Sequence, residues 1–228
     1  MLGNLVFDPT WLIVLPAIAL AMYAQWKVQS TYSRYASVDV AHRTTAEDIA
    51  RRILNAEHVE DVTFESVDRK LGDHYDPRKR VLRLSAPQSS SIAAIGVAAH
   101  EAGHAIQHAR KFAPLALRSS LVPVVSFGSQ LAMPLFFVGL LTQLPILMTI
   151  GIVLFSGAVL FTLVTLPVEF NASHRAVRAL EQSGVVTTEE LGAVRQVLSA
   201  AALTYVAAAA VAALTLVRLL LVANNRRR

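Results

Sequence analysis

Residues 121–169 read LVPVVSFGSQLAMPLFFVGLLTQLPILMTIGIVLFSGAVLFTLVTLPVE, two long apolar runs separated only by Thr142-Gln143. At a rise of about 1.5 Å per residue, each run crosses a hydrocarbon core about 30 Å thick. A two-residue break between them, with Pro145 just after it, predicts a tight transmembrane hairpin from Leu121–Leu141 and Leu144–Leu166. Outward from the hairpin, Trp11–Gln25 and Leu198–Val222 are two further apolar stretches of spanning length. With 54% hydrophobic and 16% charged residues in 228, the chain is too apolar for a soluble domain of this size and is not disordered. The expectation is a mainly α membrane protein with about four transmembrane helices. No cysteine is present, which excludes disulfides and thiolate-held metal together.

The hairpin also dictates sidedness. A chain that crosses and returns leaves residues 27–118 and residues 167–197 on one side of the bilayer. Those two segments carry 14 and 3 Lys and Arg residues, against none before the first span and 3 after the last. Positive residues stay inside, so both segments are expected in the cytoplasm of a plasma-membrane protein. Trp11–Gln25 reads as a retained anchor, because no basic residue precedes it and Asp8 does. Arg226, Arg227 and Arg228 run against this orientation unless the last helix is re-entrant, and Arg218 lies close enough to its end to snorkel. The expected organisation is an anchor over 1–26, a cytosolic insert over 27–118, the hairpin over 119–166, a cytosolic helical segment over 167–197, and a last transmembrane helix with a basic tail over 198–228. A net charge of +5 in such a chain bears on orientation, and nucleic acid is not expected as a partner.

The insert reads as α+β. Thr44-Thr45-Ala46-Glu47 has capping-box spacing before a helix over about Thr45–Asn55. Val62 and Phe64 alternate like a strand, Gly72–Pro77 has turn composition, and Val81–Leu84 alternates again. Ser89–Ser91 then offers an N-cap for a long helix over about Ile92–Lys111.

That helix carries His100-Glu101-Ala102-Gly103-His104. Histidines at i and i+4 share one helical face, so both imidazoles reach one zinc ion while the Glu between them addresses its water. Two histidines and a carboxylate on so apolar a helix are costly unless something pairs them. A catalytic zinc takes a third protein ligand, for which two residues compete. His108 continues the series, yet it lies about 12 Å along the axis from His100, too far for one helix to aim all three rings at one ion. Glu169 is the better candidate, because it leaves the third span on the side already assigned to the His100 helix, and carboxylates near a bilayer are rare. An ordinary helix-start acid after Pro167 is the plainer reading of the same residue.

The order Asp73-His74-Tyr75-Asp76-Pro77, a strand ending Leu84-Ser85, His100–His104, then Leu166-Pro167-Val168-Glu169 between apolar spans resembles the neutral zinc metallopeptidases of the YugP type. The likeness covers nearly the whole chain, including Tyr32-Ser33-Arg34-Tyr35 after the first span. It implies a multi-pass membrane zinc peptidase of the gluzincin kind with a zincin-like insert, holding one zinc through His100, His104 and Glu169. Where many gluzincins keep an Asp shortly after the ligating Glu, this chain has Asn171 and Ser173, so these are the candidates to hydrogen-bond the zinc histidines.

The expected chemistry is hydrolysis of a peptide bond by zinc-activated water with Glu101 as general base. Candidate oxyanion partners are His74, Tyr75 and His174, the last about 140° around the helix from Glu169. By analogy with related peptidases, an extended protein or peptide substrate is expected along Val81–Leu84 as an edge strand. A site-2-type intramembrane protease is the rival enzyme, but that class needs an Asp in a later span and none follows Asp76. A non-catalytic zinc-binding assembly or scaffold protein is the rival outside enzymology, and the intact Glu101 weighs against it, since a structural site has no use for a base.

Overall fold

The computed structural model describes residues 9–69 and 72–227; Asp8, Lys70 and Arg228, which enter the charge argument above, lie outside them. In chain order the elements are α1 (Trp11–Tyr35), α2 (Ala46–Ala56), β1 (Thr63–Ser66), β2 (His74–Asp76), β3 (Val81–Leu84), α3 (Ile92–Ala109), α4 (Ala113–Thr142), α5 (Pro145–Ser183) and α6 (Thr188–Arg227). The described chain is mainly helical, and α1, α4, α5 and α6 are each long and apolar enough to cross a membrane. Contacts divide it into one unit of Met1–Gln25, Leu117–Leu166 and Thr204–Arg228, and a second of Trp26–Ala116 and Pro167–Leu203.

In the first unit, α4 and α5 close on each other through glycines. A Cβ on Gly139 would stand 2.6 Å from the Met148 amide nitrogen, and one on Gly151 would stand 2.6 Å from the Ala132 carbonyl oxygen. Small residues at such crossings are how helices pack where lipid removes the hydrophobic drive between them. Phe136, Leu140, Met148, Leu219 and Ala223 form the buried cluster here, while Val124, Phe127, Leu141, Ile146 and Val153 stay exposed. So much exposed apolar surface has its natural solvent in lipid tails. The turn between α4 and α5 reverses at Gln143, whose φ is +57°. Arg218 does not snorkel: it is buried, with its guanidinium 3.8 Å from the centre of the Trp11 ring, where a cation–π contact serves the charge instead. α6 has no break within Thr188–Arg227, so it contains no re-entrant reversal.

The second unit is built around α3. Ile49, Ala50, Ile53 and Leu54 form the apolar stripe of α2 that packs on it, and β2 and β3 also touch it. Thr45 caps α2, accepting from the Asp48 amide. The cap is therefore one residue later than the Thr44–Glu47 box predicts, because two adjacent threonines each have an acid three residues on. Ile95, Ala98, Ala102 and Ile106 of α3 meet Leu82 and Leu84 of β3, Ala176 and Leu180 of α5, and Val194 and Leu198 of α6 in one buried core.

The sheet corrects two expectations. His74–Asp76, read as turn, is the strand β2, too short and too polar to show a period. Val81–Leu84, read as the edge, is the middle strand in the order β1-β3-β2, parallel to β1 and antiparallel to β2. Both of its hydrogen-bonding edges are taken, so no peptide can add to it. The alternation is consistent throughout: Arg80 and Leu84 carbonyls accept from β1-side amides of Thr63 and Val67, which leaves Val81 and Arg83 to face β2. Opposite them are Asp76 and His74, so the main chain of Tyr75 points away from the sheet.

Candidate metal centre

Ser91 caps α3 by accepting from the Ala94 amide, and from there the helix carries His100 and His104 one turn apart. Their rings stand edge to face with centroids 4.7 Å apart. Residues 167–183 of α5 cross α3 at Gly103, where a Cβ would lie only 2.6 Å from the Ala172 carbonyl oxygen. That close approach brings the carboxylate of Glu169, itself buried, to the two imidazoles. Glu169 Oε2 lies 3.2 Å from His100 Nε2 and 3.5 Å from His104 Nε2, and one ligand atom from each residue lies within 4.8 Å of the others.

The donor set fits zinc. Ligands at about 2.0–2.1 Å in a tetrahedral array stand about 3.3–3.4 Å apart, a separation that the two Glu169 distances bracket. The local field also favours a cation. Burial alone would lower the His104 pKa, but hydrogen bonding to Glu169, the charges of Glu101 and Glu169, and the Gln107 contact raise it instead.

Each imidazole has a partner on its far side. His100 Nδ1 lies 3.1 Å from Ser173 Oγ, and His104 Nδ1 donates to Gln107 Oε1 at 3.0 Å. Asn171 does not reach either ring; it accepts from Gln107 Nε2 and from Arg175 Nε. Sequence reasoning missed Gln107. Its signal was available in retrospect: a polar residue one turn beyond His104 on a helix whose neighbours Ala105 and Ile106 are apolar needs a buried partner.

Glu101 is buried beside the cluster, and its Oε2 accepts from the outward-facing Tyr75 amide at 2.8 Å. Tyr75 Oη lies 2.9 Å from His108 Nδ1, and burial together with the Asp76 charge pushes the phenol up to about 12, so it stays protonated. His108 is outside the cluster. His74 is exposed, with Nδ1 2.8 Å from the Gly72 carbonyl oxygen and Nε2 3.1 Å from Arg83, and His174 is exposed beside Arg178. Neither of these two histidines is turned to the cluster.

Residues 10–224 match the family described as "Putative neutral zinc metallopeptidase". A protein of Bacillus subtilis (strain 168) named "Putative membrane protease YugP" is 46% identical over 217 residues, which cover 94% of this chain and 96% of that one. No solved structure matches the chain. The chain belongs to this zinc metallopeptidase family.

Proposed function

We propose that this member of the family is an integral-membrane zinc endopeptidase acting on membrane or membrane-associated proteins from the cytoplasmic side, with His100, His104 and Glu169 as zinc ligands and Glu101 as general base. One observation carries the reading: Glu169 Oε2 stands at tetrahedral-edge distance from the two Nε2 atoms of an i, i+4 histidine pair, with a second carboxylate, that of Glu101, held just beside them. Zinc in that position supplies a Lewis acid for the scissile carbonyl and lowers the pKa of water. The residues supply the rest. The Tyr75 amide pins Glu101 Oε2, while Oε1 has no hydrogen-bond partner among the described residues and is free to take the proton of the attacking water. The same carboxyl group then delivers that proton to the departing amine as the C–N bond breaks.

On the outer side of β2 the Tyr75 N–H is already given to Glu101, which leaves the Tyr75 carbonyl oxygen, in place of β3, to meet an extended substrate. A cavity of about 730 Å³ lined by Tyr75, Ala105, His108, Ala109, Arg80 and Lys111 provides room for its side chains on that flank.

Metal analysis beside peptide cleavage tests the assignment. Glu101→Gln should abolish cleavage and keep about one zinc per chain, whereas Glu169→Ala should weaken zinc binding. Undiminished cleavage by Glu101→Gln refutes the role of the base, and unchanged zinc affinity in Glu169→Ala returns His108 to contention as ligand.

A further inference from the structure

Gln107 has no exposed surface, and a buried carboxamide is tolerable only where its donors and acceptor are satisfied. Its nitrogen donates to the Val168 carbonyl oxygen at 2.8 Å and to Asn171 Oδ1 at 3.1 Å, and its oxygen meets His104 Nδ1 at 3.0 Å. Amides can be flipped, but here two groups of fixed character remove the ambiguity. A main-chain carbonyl only accepts, so the group facing Val168 is the Gln107 nitrogen. A guanidinium only donates, so the Asn171 atom 2.8 Å from Arg175 Nε is oxygen, which again demands nitrogen from Gln107. Gln107 Oε1 is thereby forced toward His104, so Nδ1 must carry a proton, and Nε2, the atom facing Glu169, is the one whose lone pair is available to a metal in the neutral ring. His100 has no such constraint, because the Ser173 hydroxyl can rotate to donate or accept.

Resting on the zinc-site reading above, we infer that Gln107 is a positioning residue: oriented by the Val168 carbonyl and by the Asn171–Arg175 pair, it holds His104 in the Nδ1–H tautomer and so sets the affinity of the site for zinc. Arg175 lines a separate cavity of about 250 Å³ with His174, Arg178 and Glu57, so the relay runs from the zinc ligand to a solvent-reachable side chain. Its sign is opposite to simple electrostatics. Removing the Arg175 charge should tighten binding of a cation nearby; breaking the relay should loosen it.

The experiment is zinc affinity by chelator competition on the full chain in detergent, for wild type, Gln107→Met, Arg175→Met and the double variant, with melting of each metal-stripped form. Gln107→Met should lose about 10–100-fold in affinity, the range for removing a partner that orients a metal-bound histidine. Arg175→Met should lose less, in the same direction, and should cause no further loss in the Gln107→Met background. In nitrogen NMR of the wild type, His104 should show a slowly exchanging Nδ1 proton that Gln107→Met loses. Wild-type affinity in Gln107→Met, tighter zinc in Arg175→Met, or a full Arg175 effect retained in the double variant overturns the relay. An equal drop in metal-stripped melting with unchanged affinity reduces Gln107 to helix packing and overturns it too. If wild type itself holds no zinc, the failure is that of the zinc site and takes the relay with it.

Discussion

Gly103→Ala isolates the helix crossing from the chemistry it serves. The added Cβ would stand 2.6 Å from the Ala172 carbonyl oxygen, with the Ala172 carbonyl carbon and Cα at 3.2 and 3.3 Å. All three are main chain, so no side chain can swing aside. To reach the 3.0–3.4 Å at which Cβ contacts become tolerable, the two helices must part by about 0.4–0.8 Å. Alanine gains about 1 kcal/mol of helix propensity over glycine, and overpacking costs about 1–3 kcal/mol, so the fold itself should lose no more than about 2 kcal/mol. The ligand geometry has far less slack, since metal distances tolerate only about 0.2 Å. Glu169 sits less than one turn from Ala172 on the helix that must move, so its carboxylate would be carried off the proposed zinc position. The expected result is a metal-stripped melting temperature within a few degrees of wild type, with zinc affinity reduced roughly tenfold or more. Chelator competition beside melting in excess chelator measures both. Unchanged zinc affinity would show that Glu169 does not depend on the crossing and would refute the reasoning.

Tyr75→Pro deletes the one amide that holds Glu101, and the β2–β3 ladder survives because His74 and Asp76 make its bonds; cleavage should fall sharply at unchanged zinc content, and full activity would mean Glu101 is placed by something else. Cysteines at Gln88 and Lys111, exposed positions just outside the two ends of α3, should react with an impermeant maleimide from the same side of the membrane. Labelling from opposite sides would make α3 a spanning helix and restore the intramembrane-protease reading.

What could be read from the sequence follows from how far each signal reaches. α3 is legible because its markers are local: Ser91 starts it, and His100 and His104 declare a shared face through spacing alone. The four long apolar helices are legible because composition is a sum over about 20 residues, which tolerates errors at the ends; α5 and α6 accordingly run well past the apolar limits, into segments whose polar faces belong to the second unit. β2 was hidden because three residues, all of them polar and ionisable, carry no period and its pairing partner is known only once β3 is placed. The position of β3 in the middle of the sheet was hidden for the same reason, since strand order is decided by which edges find partners and not by the strand's own residues. Gln107 was hidden because a carboxamide announces nothing about its partners. Its role depends on Val168, Asn171 and Arg175, which are about 60 residues away in sequence and arrive only when α5 crosses α3.

The crossing also accounts for why this site mixes small and polar residues. Gly103 and Ala172 bring the two backbones together, and at that separation the carbonyl of Val168 falls within reach of a side chain from α3. A larger residue at any of these positions would exclude the buried carboxamide as well as displace the carboxylate. Tight packing and polar satisfaction are thus one requirement here. An unsatisfied Gln107 would cost about 1–3 kcal/mol, so a separation wide enough to break its hydrogen bonds is opposed by the polar groups as well as by the packing. On the proposed reading, zinc would find its three ligands already gathered, and a substrate would meet a base, Glu101, one of whose oxygens is anchored to the adjoining strand.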